Sequence, residues 1–139
     1  STGIFHNVIG EVDELVAATV KRVVLCSGKV YYDLLEQRRK NEQDDVAIVR
    51  IEQLYPFPHA ELAQAISDYQ HVTDWVWCQE EPQNQGAWYC SQHHFWASIP
   101  DGAKLTYAGR LASASPAVGY ISVHNQQQAD LIADALTIK

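Results

Sequence analysis

The sequence predicts an α/β domain built on a mostly parallel sheet covered on both faces. Three observations carry that expectation. Val23-Val24-Leu25-Cys26 is apolar without alternation, the pattern of a short strand buried on both sides. Ser27-Gly28-Lys29 breaks it, and the chain continues at helical spacing to Lys40, so Val23–Lys40 reads as a strand–turn–helix unit. The remainder repeats short apolar runs separated by helices of ~10–15 residues, as parallel crossovers require.

Taken in order, residues 1–20 read as a lead-in arm from a preceding domain. Ile4, Phe5, Val8 and Ile9 are apolar, Gly10 interrupts them, and Glu11, Asp13 and Glu14 follow. Residues 21–139 form the domain proper. In its first helix Val30, Leu34 and Leu35 make the apolar stripe, and Glu36, Arg38, Arg39 and Lys40 are placed in water. Gly28 frees the backbone for the turn, and Ser27 is the expected cap. Val46–Ile51 is the second strand, rich in β-branched residues. Pro56 and Pro58 end it. His59–Tyr69 is an amphipathic helix with Leu62, Ala65, Ile66 and Tyr69 inward. Trp75–Cys78 is the third strand, which Gln79-Glu80-Glu81-Pro82 leaves. Ala87–Ala97 is the next helix, Lys104–Ala108 a short strand, and residues 109–119 a loop of small residues whose one charge is Arg110. Asn125–Leu136 is the last helix, with Leu131, Ile132, Ala135 and Leu136 inward.

The chain has 139 residues, 47% hydrophobic and 19% charged, which fits one globular domain with a sizeable core. The formal net charge is −7. No basic stripe is interleaved with aromatics, so nucleic acid is not an expected partner. No apolar run approaches the ~20 residues that span a bilayer, so no membrane is expected either. The start has neither a basic n-region nor an apolar h-region and does not read as a signal peptide. Cys26, Cys78 and Cys90 are an odd number, read as reduced structural thiols in a cytoplasmic protein.

Ligands of parallel sheets gather at the carboxyl ends of the strands. Three loops fall there: Ser27-Gly28-Lys29, Gln53-Leu54-Tyr55-Pro56, and Gln79 to Gly86. Ser27-Gly28-Lys29 opens a helix, where free N–H groups and a lysine suit a phosphate or carboxylate. The spacing is not that of a P-loop, and a plain structural turn is the favoured reading. Arg110 suits an anion or an acidic group across an interface. Glu80-Glu81 invites an acid/base pair, but neighbours in an extended chain point to opposite faces, so a cap or an interface salt bridge is preferred. Cys78, Cys90, His93 and His94 invite a zinc reading. Cys90-x-x-His93 supplies half a site and nothing supplies the other half, so surface or interface histidines are preferred and no metal is assigned. No Ser–His–Asp arrangement, GxSxG or GxGxxG is legible, and no catalytic residue is assigned.

Four blocks in register carry a specific resemblance: CSGKVYYDLLEQRR, DVAIVRIEQLYPFP, WCQEEPQNQGAWY and YAGRLASASPAVGY. From about Ile4 to the end the chain resembles the carboxyl-terminal domain of the first, thiamine-diphosphate-dependent component of 2-oxoglutarate dehydrogenase. The resemblance implies a transketolase-type C-terminal domain: a three-layer α/β/α sandwich on a five-stranded, mostly parallel sheet with one antiparallel strand. Leu105–Tyr107 or a segment near Ile121 is the expected fifth strand.

The resemblance also implies a bacterial, cytoplasmic parent enzyme of the citric acid cycle. Such enzymes decarboxylate 2-oxoglutarate on thiamine diphosphate with magnesium. They pass the succinyl unit to the lipoyl group of a succinyltransferase component. The family's GDG and Asn-Asn signature is absent from this chain. The expectation is therefore a domain without its own cofactor or catalysis, packed against the rest of its subunit and a dimer mate. Glu80, Glu81, Gln85, Trp88, Tyr89 and His93 are the expected interface, together with the loop from Arg110 to Tyr120. Exposed Trp88 and Tyr89 predict weak self-association once neighbouring domains are gone. The alternatives are a module binding an anionic nucleotide or acetyl-CoA through Ser27, Gly28, Lys29 and Arg110, since actinobacterial relatives bind that effector on this domain, or a docking surface for a foreign protein.

Overall fold

A computed structural model describes residues 6–111 and 121–139. Five strands form one sheet: β1 (Val8–Ile9), β2 (Arg22–Cys26), β3 (Val46–Ile51), β4 (Asp74–Pro82) and β5 (Lys104–Arg110). Their order is β1-β3-β2-β4-β5. β2 pairs in parallel with β3 and β4, and β4 pairs in parallel with β5. β1 runs antiparallel to β3, with Val8 opposite Ile51. The four helices are α1 (Val30–Lys40), α2 (His59–Ala65), α3 (Gly86–Ser98) and α4 (Ile121–Leu136). This is the expected mostly parallel α/β sandwich.

The two faces of the sheet have separate cores, because successive strand residues point to opposite sides. Val23, Leu25, Val49, Trp75 and Trp77 pack with Leu62, Ile66 and Phe95 under α2 and α3. Val24, Cys26, Ile48, Val76 and Cys78 pack with Leu34, Leu131, Ile132 and Ala135 under α1 and α4. Val23–Cys26 are all buried, as an apolar run without alternation predicts, and the strand also takes in Arg22, which is buried too. Leu131, Ile132, Ala135 and Leu136 are the buried residues of α4, as expected.

Four local expectations are corrected. Leu105–Tyr107 lies in β5 as expected, but the segment at Ile121 opens α4, and the lead-in segment adds a strand, β1, that the expectation lacked. Two residues were too short a run to read as a strand. Arg38 is not in water: its side chain is 1% exposed. It donates to both carboxylate oxygens of Glu11, to Asp13 and to the Val46 carbonyl. Glu11 also accepts from the Ile48 backbone N–H, so the acidic lead-in residues are fastened along the outer edge of β3 and to α1. Helix α1 starts from Lys29 without a side-chain cap, so Ser27 does not cap it, although Gly28 does sit at φ +78°. Finally, β4 does not end at Cys78 but runs on to Pro82, because β5 extends alongside it to Arg110 through a bulge between Gln79 and Pro82.

Candidate functional site

The parallel strands bring four carboxyl ends to one edge of the sandwich. Ser27-Gly28-Lys29 follows β2, Glu80–Pro82 ends β4, and Arg110 ends β5 rather than lying in a loop. Residues 112–120 of the expected interface loop lie outside the described residues.

The predicted anion residues Lys29 and Arg110 are linked by side chains between them. Lys29 Nζ donates to Glu80 Oε1 at 3.0 Å. Gln128 of α4 donates to the same oxygen at 2.7 Å and to Asp33 of α1 at 2.9 Å. Arg110 donates to the Gln128 side-chain carbonyl at 2.9 Å and to Gln127 at 3.3 Å. The network therefore joins the turn after β2 to β4, β5, α1 and α4. Its members differ in access, for the Lys29 side chain is 82% exposed and that of Glu80 19%. Such bonds are screened by water and are exchangeable. Glu81 points to solvent, so the two adjacent carboxylates do not converge.

Beside this network lies an arginine that sequence reasoning missed. Arg50, near the end of β3, stacks over the rings of Tyr31 and Tyr32 at 5.3 and 5.1 Å. It donates to the Tyr32 hydroxyl at 3.1 Å and meets Glu52 at 3.4 Å. Among the described residues its Nε is buried without a hydrogen-bond partner. The only sequence signal was a charge inside a β-branched run.

The Glu80–Trp88 segment is shaped by Gln79, also missed, which is 1% exposed. Its amide carbonyl accepts from Trp77 Nε1 at 2.8 Å and from the Trp88 backbone N–H at 2.9 Å. Its amide nitrogen donates to the carbonyls of Glu81, Pro82 and Gln85. One buried amide thus holds both the loop and the first turn of α3. Gly86 stands at φ +68° where a Cβ would press on Glu81 and Gln79. Tyr107 folds back over Gly109 to donate to the Arg110 carbonyl at 2.6 Å. Burial holds the Tyr107 phenol up at about 12, so it stays a donor.

The expected aromatic anchors differ in exposure. Tyr89 is 71% exposed, whereas Trp88 is half-buried against Tyr107 at 5.4 Å. Trp88 belongs to the loop's own packing because α3 leans its first turn on β5. Tyr89, His93 and the 48% exposed Trp96 make the outward stripe of α3. Cys90 is exposed, while Cys26 and Cys78 are buried and their thiols are pushed up by desolvation. Neither buried thiol is a ready nucleophile. His94 meets His59 of α2 at 3.1 Å and lies ring against ring with His93.

The family described as 2-oxoglutarate dehydrogenase C-terminal matches residues 1–136. The 2-oxoglutarate dehydrogenase E1 component of Haemophilus influenzae is 68% identical over 135 residues, covering 97% of this chain and 14% of that protein. The E1 component of Azotobacter vinelandii is 57% identical over 139 residues, covering 98% of this chain and 15% of its own length. The chain thus spans about one seventh of the curated relatives it matches. A solved 2-oxoglutarate:ferredoxin oxidoreductase from Magnetococcus marinus, with 2-oxoglutarate, coenzyme A and succinyl-CoA bound, superposes with a TM-score of 0.50. It is 14% identical and covers 91% of this chain and 20% of its own, a likeness of fold alone.

Proposed function

This chain belongs to the 2-oxoglutarate dehydrogenase C-terminal family, and from that premise we propose that it is the assembly and regulatory domain of such an enzyme's first component. The parent reaction is decarboxylation of 2-oxoglutarate on thiamine diphosphate and magnesium in the bacterial cytoplasm, with succinyl transfer to a lipoyl-bearing succinyltransferase. The domain itself supplies surfaces, not chemistry. Among the described residues no three imidazole, thiol or carboxylate groups are placed to hold a metal ion, and Glu80 is already turned to Lys29 and Gln128. Those donors do not fit a magnesium-bound diphosphate.

One observation supports the reading most: an almost complete match to proteins of which this chain makes up about one seventh. The outward stripe of Tyr89, His93 and Trp96 on α3, with Gln85 at the head of that helix, exposed Glu81 before it and half-buried Trp88 at its edge, is the surface offered to the rest of the subunit and to its dimer mate. Glu80 adds to it from the other face of the sheet, beside Lys29 and Gln128. Aromatics at such a face concentrate interface energy. Sedimentation of a full-length first component carrying Tyr89→Ser and Trp96→Ser tests this. A weakened dimer is expected, with the domain's own melt unchanged; an unchanged dimer contradicts the assignment of that surface.

A second reading has an observation in its favour. Arg50, stacked on two tyrosines, and the exposed Lys29 put two cations at the carboxyl edge, each beside a carboxylate, Glu52 and Glu80, that an anionic nucleotide or acetyl-CoA near Ser27, Gly28, Lys29 and Arg110 would displace. Calorimetry with acetyl-CoA and AMP, comparing the wild type with Lys29→Ala, decides it. Heat that Lys29→Ala reduces supports the reading, and no heat from either ligand removes it.

A further inference from the structure

Away from the carboxyl-edge network, α2 and α3 bring together two imidazoles that are 35 residues apart in the chain. His59 is the first residue of α2 and His94 lies in the third turn of α3. His59 Nε2 and His94 Nδ1 are 3.1 Å apart. The rings are not free to swing apart. Phe57 stacks on His94 at 4.7 Å with 17° between the planes and leans on His59 at the same distance. Phe57 in turn packs on Phe95, a fully buried residue of the core. Two nitrogens are therefore aimed at one point from a rigid apolar base, at the protein surface.

We propose that His59 and His94 form a two-nitrogen chelate for a late first-row divalent ion, Zn2+ or Cu2+, that bridges α2 to α3. The spacing suits it. Two imidazole nitrogens, each ~2.0–2.1 Å from a metal, lie roughly 3.3 Å apart at the tetrahedral angle and roughly 2.9 Å apart at a right angle. The observed separation falls between these values, so little movement is needed. Without metal, one ring donates its N–H to the other. On binding, that hydrogen passes through water to the other nitrogen of its own ring, both lone pairs face the ion, and no net charge leaves the protein. Neutral imidazole is the ligand form. Among the described residues no third His, Cys, Asp or Glu completes a cluster. Water fills the outward positions, and the site is an exchangeable one rather than a closed structural centre.

Zn2+ titration of the whole 139-residue chain, read by calorimetry and by thermal melt, tests this. One ion per chain is expected, with a melting temperature that rises with Zn2+ concentration. His59→Gln and His94→Gln should each weaken binding at least tenfold. His93→Gln and Cys90→Ser should stay within twofold, which separates the pair from its exposed neighbours. Zinc binding that survives both glutamine variants, or that is lost with Cys90→Ser, overturns the proposal. Should either variant melt early without metal, Cu2+ spin resonance on the wild type decides. Coupling to two nitrogens supports the chelate, and a thiolate or single-nitrogen signature contradicts it.

Discussion

The two ends of the sheet use the same charged residues differently. At the amino end, arginines are buried and saturated. Arg22 lies 1% exposed at the start of β2, donates to both oxygens of Asp74, and closes on the Asp134 and Ala135 carbonyls of α4. Arg38 is equally buried and ties Glu11 and Asp13 under α1 and β3. At the carboxyl end, Lys29, Glu80, Gln128 and Arg110 form a chain of bonds reached by water. The contrast teaches where change is tolerated. Charges desolvated at the amino end are part of the fold, because a lone charge left there is unaffordable. Charges at the carboxyl end stand in water, where exchanging a partner costs little.

Substitutions can break this contrast. The largest effect is expected for Arg38→Met, which leaves Glu11 buried without its cation and should lower stability by about 3–5 kcal/mol in urea unfolding. A loss under about 1 kcal/mol would erase the distinction between the ends. Gly109→Ala should come next. Its added methyl would lie 2.5 Å from the Tyr107 hydroxyl and 2.7 Å from the Gln79 carbonyl oxygen. Relieving such overpacking costs about 1–3 kcal/mol, and here it should also loosen the Glu80–Trp88 segment, visible as faster amide exchange.

Asp13→Asn sharpens the comparison through pH. The Arg39 and Arg38 guanidiniums hold the Asp13 carboxyl well below the usual carboxylate range. A carboxyl lowered on folding stabilises the protein above its unfolded value, near ~4, and loses that contribution as pH falls toward the folded one. The gap in unfolding midpoint between wild type and variant should thus be widest above pH ~5 and shrink toward pH ~2. A gap that is constant across that window would contradict the ion pairing. Lys29→Ala should have the smallest effect, leaving the unfolding midpoint unchanged, since an exposed pair contributes little.

Much of the fold was legible from residue pattern. Val23–Cys26 announced a two-sided strand, and the last helix displayed its buried face at Leu131, Ile132, Ala135 and Leu136. The misread polar residues share one cause: each was judged by its type. Arg38 seemed a surface charge because its partners, Glu11 and Asp13, lie 27 and 25 residues away in the chain. Gln79 seemed a loop residue because nothing local shows that one amide serves five partners. Lys29 and Arg110 were named singly, and only the topology revealed Gln128 and Glu80 between them. The pairing of His59 with His94 was equally invisible, for helix packing alone sets it.

The proposed role is that of a domain that organises an enzyme without performing its chemistry. The most direct test is CO2 release from 2-oxoglutarate by the purified 139-residue chain, assayed with thiamine diphosphate and magnesium present. The account predicts no release above the protein-free blank. Turnover that depends on both substrate and cofactor would contradict it.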